Sequence, residues 1–115
     1  MHILDKWLLK KQKGKKLIQF FAVKGIKSIA IYGMSYVGER LYDELKNSDI
    51  EIKYAIDQSA NGIYVDLNVL SLKDDLPEVD AIIVTPTFYY DEISKNLMKK
   101  VNSKVISLDT VLNSI

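Results

Sequence analysis

Two glycines and an acid at fixed spacing constrain this chain more than any other feature. The apolar run Ile29–Tyr32 leads into Gly33, and Gly38 follows five residues later at the start of a helix-like pattern. A second apolar run ends at Asp57, 19 residues after Gly38. This order predicts a strand, a tight turn, a helix, a second strand and an acid, which is the layout of a nucleotide-binding βαβ unit.

The rest of the chain continues the alternation of strands and helices. Helices are predicted over 36–47 and 88–100, 72–79 reads as a short helix or loop, and 110–115 as a closing turn. Predicted strands cover 27–32, 50–56, 63–65 or 67–69, 80–85 and 105–108. We therefore expect an α/β, Rossmann-like three-layer sandwich with a parallel five-stranded sheet in the order 3-2-1-4-5.

Residues 1–25 form a basic arm ahead of the predicted domain, 26–115. Apolar residues at helical spacing predict two short helices, or one long helix broken near Gly14, with Gly25 as the stop. Residues 1–27 contain eight lysines and one acid, for a net charge of +7, whereas the remaining residues contain eight basic and fourteen acidic side chains, for −6. The charge is therefore strongly asymmetric along the chain.

Three interpretations of the arm are open. It packs on the domain, on a partner enzyme or on a second copy in a homo-oligomer, with its lysines solvated, which we expect because apolar stripes on helices usually meet protein. Contact with an anionic membrane surface is the second interpretation. Nucleic-acid binding is the third, and we expect none because the acidic body would repel phosphates.

Composition excludes several kinds of chemistry. The chain has no cysteine and only one histidine, His2, which excludes disulfides, thiolate catalysis and sites built from cysteine or several histidines. No apolar run approaches the length of a membrane span, and no clean signal peptide is present, so we expect a cytoplasmic protein.

No catalytic or metal-binding set of residues stands out. Tyr42 and Lys46 match the Tyr-x-x-x-Lys spacing of short-chain dehydrogenases, but they lie on the helix after the first strand, and we interpret them as a solvated face. Nothing in the sequence brings the acids together, and we take them as surface groups: Asp43, Glu44, Asp74 and Asp75. We expect no metal site, and a chain that is not a complete enzyme on its own.

The turn that begins at Gly33 is the candidate phosphate site, because a helix start offers free N–H groups and a positive dipole end. Ser35 stands where the usual motif has its middle glycine, and its side chain either crowds a pyrophosphate or donates a hydrogen bond to one. Asp57 is expected to accept from ribose hydroxyls. The candidate turn residues are Gly33, Met34, Ser35, Tyr36, Val37 and Gly38. In the alternative interpretation the glycines serve turn and packing alone, and Asp57 caps or is solvated.

The end of the fourth predicted strand faces this turn if the strand order is right. Thr85, Pro86 and Thr87 would then contact a ribose or sugar, and the aromatic residues 88–90 would stack on a base or wall the pocket. The alternative is a helix start, in which Thr87 accepts from backbone N–H groups and Phe88 packs on the sheet.

These motifs resemble a known family. The run Ile31–Gly38, the pair Ile56-Asp57 and the run Asp80–Thr85 are similar to small Rossmann-like domains of bacterial surface-polysaccharide proteins. Such domains form the N-terminal part of sugar O-acyltransferases and of membrane-linked nucleotide-sugar epimerase/dehydratases, and they occur beside glycosyltransferases. The resemblance covers about residues 26–110.

The resemblance implies that Gly33, Gly38 and Asp57 hold a nucleotide-sugar or a dinucleotide such as NAD. It carries no catalytic activity over, because Ser35 departs from the motif and the 115 residues contain neither acyltransferase hexapeptide repeats nor a dehydratase catalytic half. We therefore expect a non-catalytic nucleotide-binding module of cell-surface polysaccharide biosynthesis. The alternatives are an interaction module with a vestigial site and a small NAD-dependent oxidoreductase subunit.

Overall fold

A computed structural model of the protein describes residues 3–57, 67–86 and 88–115. The helices are α1 (Ile3–Gln12), α2 (Leu17–Lys24), α3 (Tyr36–Leu45), α4 (Tyr90–Met98) and α5 (Leu108–Asn113). The strands are β1 (Ser28–Tyr32), β2 (Glu51–Ile56), β3 (Val69–Leu70), β4 (Ala81–Val84) and β5 (Lys104–Ser107).

The five strands form one parallel sheet in the order β3-β2-β1-β4-β5, which confirms the predicted topology. β1 lies at the centre, where Ile31 pairs with Ala55 on one side and Ile83 on the other. All of β4 is buried, as expected for a short apolar strand that is covered on both faces.

Helices cover both faces of this sheet. One buried cluster contains residues of α1, α2, α3 and α5, and the second lies on the other face and includes Leu97 of α4. The arm therefore contributes to the main core, through four buried side chains: Trp7, Leu17, Phe20 and Phe21.

Polar contacts also hold the arm on the body. The Glu44 carboxylate of α3 accepts hydrogen bonds from Trp7 Nε1 at 3.1 Å and from Lys11 Nζ at 2.9 Å. Lys6 Nζ lies 2.5 Å from a carboxylate oxygen of Asp109 in α5. Lysines expected to be solvated thus pair with acids of the body, because the two carry opposite net charge.

The end of the described chain differs from the prediction. Residues 110–115 were predicted as a closing turn, but α5 begins at Leu108. The Ser107 hydroxyl caps this helix by accepting from the Thr110 amide at 3.0 Å, and Leu108, Val111 and Leu112 are buried at helical spacing. Burial of this apolar face favours the helix over an open turn.

The described residues between β2 and β4 bear on two alternatives that the sequence left open. Residues 72–79 form a turn followed by an irregular loop, as in the loop alternative of the prediction, and Asp74 stabilises the turn by accepting from the Ser71 amide at 2.8 Å. Strand β3 overlaps the second of the two predicted positions. The first, 63–65, lies outside the described residues.

Replacement of Phe21 by alanine should destabilise the protein if the arm is part of the core. Phe21 is completely buried, and truncation of such a side chain costs about 3–5 kcal/mol. Val23 lies on the same helix and is 84% exposed, so Val23→Ala is the matched control and should change the free energy of unfolding little. Urea denaturation measures both, and equal effects would contradict the packing described here.

Asp80, which directly precedes β4, should make the free energy of unfolding depend on pH. Its carboxylate accepts from the Lys27 amide at 2.8 Å and the Ser28 amide at 3.1 Å. The bond from Lys27, followed by the one from Ser28, lowers the pKa of Asp80 below its usual value.

A lowered pKa stabilises the folded state above the pKa that Asp80 has in the unfolded chain, and the contribution is lost as pH falls through the folded value. We expect Asp80→Asn to lower the free energy of unfolding at neutral pH, and to lose this effect in acid. Urea denaturation from neutral pH into acid tests this, with the exposed Asp75→Asn as control. A constant difference at all pH values would contradict it.

Candidate functional site

The turn after β1 can be made only by glycine without strain. Gly33 has φ of +92°, and its amide donates to the Ile56 carbonyl at 2.8 Å. A Cβ at this position would lie 2.7 Å from Thr85 Oγ1. The turn is thus fixed by its backbone angle and by the closeness of both neighbouring strands.

Gly38 lets α3 pack directly against this turn. A Cβ at position 38 would lie 2.0 Å from the carbonyl oxygen of Gly33, a distance that no side chain could occupy. The helix therefore starts immediately behind the turn, and its first N–H groups have no acceptor within the helix.

The other turn residues have different environments. The Ser35 side chain is exposed and makes no capping hydrogen bond to α3. Met34 is buried in the core and Val37 packs against it. Tyr36 is 61% exposed, and the Arg40 guanidinium lies 5.4 Å from the centre of its ring.

Asp57 is hydrogen-bonded to the turn itself. One of its carboxylate oxygens accepts from the Met34 amide at 2.9 Å, which ties the end of β2 to the start of the crossover. The sequence left a ribose contact and a capping role open for this acid. The structure shows a hydrogen bond that stabilises the turn.

The end of β4 contributes both a structural and a lining residue. The Thr85 hydroxyl is buried and donates to the Tyr32 carbonyl at 3.0 Å, with the Gly33 carbonyl at 3.1 Å. Pro86 borders the open space beside the turn. Thr87 lies outside the described residues. Phe88 is 95% exposed, so the expectation that it packs on the sheet is wrong.

A cleft of about 500 Å³ opens at the carboxyl ends of the strands, between β1 and β4, where the strand order reverses. Of the predicted residues it brings together Gly33, Ser35, Asp57 and Pro86, whereas Met34, Tyr36, Val37, Gly38 and Thr85 do not line it. Its other lining residues are Tyr32, Leu72, Tyr89, Glu92, Ile93 and Asn96.

Tyr89 lines this cleft, where the sequence led us to expect the aromatic residues 88–90, but sequence analysis missed the rest of the same wall. Glu92, Ile93 and Asn96 follow Tyr89 at intervals of three and four residues, so all four share one helix face. That spacing, applied to the predicted helix 88–100, would have indicated them. Tyr32 was also missed. Its pKa is raised mainly by burial, with a smaller contribution from the negative charge of Asp57.

The acids outside the cleft serve other contacts. Asp43 pairs with Arg40 at 2.7 Å and with Lys46 at 3.5 Å, on the same helix. In the part of the chain that the structure describes, no three acidic or histidine side chains are grouped as a metal site. No helix within the described ranges has both the length and the apolar character needed to cross a bilayer.

Comparisons with known proteins add no relative to this picture. A scan against family models, a search of curated proteins and a search of solved structures each gave no match. The family resemblance of the glycine motif therefore remains a prediction from the sequence.

Alanine at position 38 should destabilise the protein much more than alanine at position 25. Gly25 has φ of +69°, but a Cβ added there would meet no neighbouring atom within 4 Å, so Gly25→Ala should cost about 1–2 kcal/mol of backbone strain. Gly38→Ala must push α3 away from Gly33, at an expected cost of at least about 3 kcal/mol. Thermal and urea unfolding compare the two, and a smaller effect at position 38 would contradict the close packing.

Proposed function

We propose that this chain binds a nucleotide-type small molecule, NAD or a nucleotide-sugar, in the cleft between β1 and β4. The observation that carries the proposal is the position of this cleft, because ligands of open α/β sheets bind where the strand order reverses. It is large enough for part of such a ligand, and its wall includes the glycine turn.

The start of α3 would hold the phosphate. Its first N–H groups lack acceptors within the helix, and Ser35 does not cap them. Ser35 also lines the cleft, so its hydroxyl is placed to donate to the same phosphate. The positive end of the helix dipole adds to the attraction.

Asp57 would accept from the ribose hydroxyls without leaving the turn. A carboxylate has about four lone-pair positions on its two oxygens, so it can accept from more than one donor at a time. One of these oxygens accepts from the Met34 amide, and in the proposed complex Asp57 would keep this bond while it accepts from a ligand. Its negative charge favours a ribose without a 2′-phosphate.

The cleft remains open, which supports binding over a purely vestigial site. Met34 is turned into the core, Tyr36 is largely exposed, and Tyr89 lines the cleft without filling it. If the side chains had filled the crevice, the interaction-module alternative would be favoured.

We propose a binding role rather than complete catalysis. None of the described cleft residues is a histidine, cysteine or lysine, and the family resemblance implies a module that works beside a partner enzyme in surface-polysaccharide biosynthesis. In such an assembly the arm would stay packed on the body, and Leu8 and Leu9 of α1 are exposed at the surface.

Calorimetry with NAD, NADP, coenzyme A and UDP-sugars tests binding, and Ser35→Asp tests the location. Aspartate is a good N-cap, so this variant should fold at least as stably as the parent. Its charge occupies the proposed phosphate position, and we expect the affinity for the ligand that binds to fall at least about tenfold.

Asn102→Asp is the matched control, because it adds the same charge at an exposed position outside the cleft. It should leave the affinity unchanged. Absence of binding across the whole panel would contradict the proposed function, and equal affinity of the Ser35→Asp variant would contradict the phosphate position.

A further inference from the structure

The cleft carries negative charge, and none of the described residues that line it is basic. Asp57 and Glu92 lie on its walls, and every other lining side chain is neutral. The pKa of Tyr32 is raised mainly by burial and also by the negative charge of Asp57, which agrees with the negative charge of the cleft. The cleft is therefore unusual for a phosphate-binding site, since such sites commonly use lysine or arginine.

The sequence segments around the cleft also lack basic residues. Residues 28–39, 54–72 and 74–94, which lead into and out of the carboxyl ends of β1, β2 and β4, contain no lysine, arginine or histidine. The next basic residue on α3, Arg40, bonds to Asp43 at 2.7 Å and borders a different groove. A phosphate would thus be held by backbone amides and the Ser35 hydroxyl, with no cationic side chain beside it.

Amides at a helix start can hold one phosphate group, but they do not neutralise charge elsewhere on a ligand. Their effect falls off within the first turn of the helix. Any part of a ligand that extends from the turn toward α4 meets Glu92, with Asn96 one helical turn further along and Tyr89 at the start of the helix. A carboxylate and an amide bind hydroxyl groups or a cation, whereas the carboxylate repels an anion.

We propose that the cleft selects nucleotides by charge, and that Glu92 determines this selection. Of two nucleotides that differ only beyond the phosphate at the turn, the cleft binds the one whose group is neutral or positively charged. It rejects an added phosphate or carboxylate. The ligand class is then a nucleotide with a cationic ring, such as oxidised nicotinamide, or with a neutral sugar. This inference rests on the proposed function of the cleft.

Matched ligand pairs test the selection by isothermal calorimetry at low salt. The pairs are NAD⁺ with NADH and UDP-glucose with UDP-glucuronate, whose members differ in charge more than in shape and only at the group beyond the phosphates. In each pair that binds, the less negative member should bind at least about fivefold tighter, as expected for one unit charge near another in water. Higher salt should reduce the ratio.

Glu92→Gln removes the charge and keeps the size of the side chain. It should bring the ratio within each binding pair closer to one, by weakening the binding of NAD⁺, whose ring is a cation, and by strengthening the binding of UDP-glucuronate, whose added group is an anion. Asp91→Asn is the matched control, because Asp91 is the preceding residue and borders a separate groove with Phe88 and Asp109. It changes the net charge equally and should leave the ratio as in the parent.

The outcomes separate this inference from the function on which it rests. If no member of any pair binds the parent protein, the proposed function fails and the inference fails with it. If nucleotides bind but the pairs show no preference, or if Glu92→Gln leaves the preference unchanged, the inference alone is overturned. A larger change with Asp91→Asn than with Glu92→Gln would also overturn it.

Discussion

The close approach of α3 to the turn after β1 is the contact on which the rest of the structure depends. Backbone meets backbone there, because a side chain atom at position 38 would lie only 2.0 Å from the Gly33 carbonyl oxygen. This contact fixes where α3 begins. The same helix then closes the core through Leu41 and Leu45, which are buried, and it accepts the arm through Glu44. The position of the cleft and the attachment of the arm thus follow from one backbone contact.

Hydrogen bonds from the ends of both strands that neighbour β1 converge on the turn after it. The β2 end contributes the Ile56 carbonyl and the Asp57 carboxylate, and the β4 end contributes the Thr85 hydroxyl. These bonds bring the carboxyl ends of the central strands into a single rigid edge. A cleft built on such an edge presents groups that are already positioned, so a ligand would have little ordering cost to overcome.

Much of the fold could be predicted from the sequence, because its signals are local. Glycines at a tight turn, short apolar strands and right-handed crossovers together predicted the observed strand order. The capped helix α5 was missed because its N-cap, Ser107, lies within what reads as a strand. The structural role of Thr85 could not be predicted either, because its hydroxyl donates to backbone carbonyls that lie about 50 residues earlier in the sequence.

The candidate site was predictable only on the side that carries a motif. Gly33 and Asp57 belong to a recognisable pattern, whereas Glu92 and Asn96 look like ordinary solvated residues of an amphipathic helix. What distinguishes them is the part of the structure that their helix faces, and this depends on the packing of α4 on β4 and β5 rather than on local sequence. The distribution of charge along the sequence says more about the α4 side of the cleft than local pattern does, because long stretches without basic residues surround the cleft.

The location of Glu44 has a consequence for how the two ends of α3 communicate. The hydrogen bonds from the arm and the uncapped first turn lie on one ten-residue helix, which is too short to unwind at one end without weakening the other. If the proposed ligand binds at the first turn, its binding would therefore also stabilise the contacts of the arm, and detachment of the arm would weaken its binding. The two effects would be equal in free energy, because thermodynamic coupling is reciprocal.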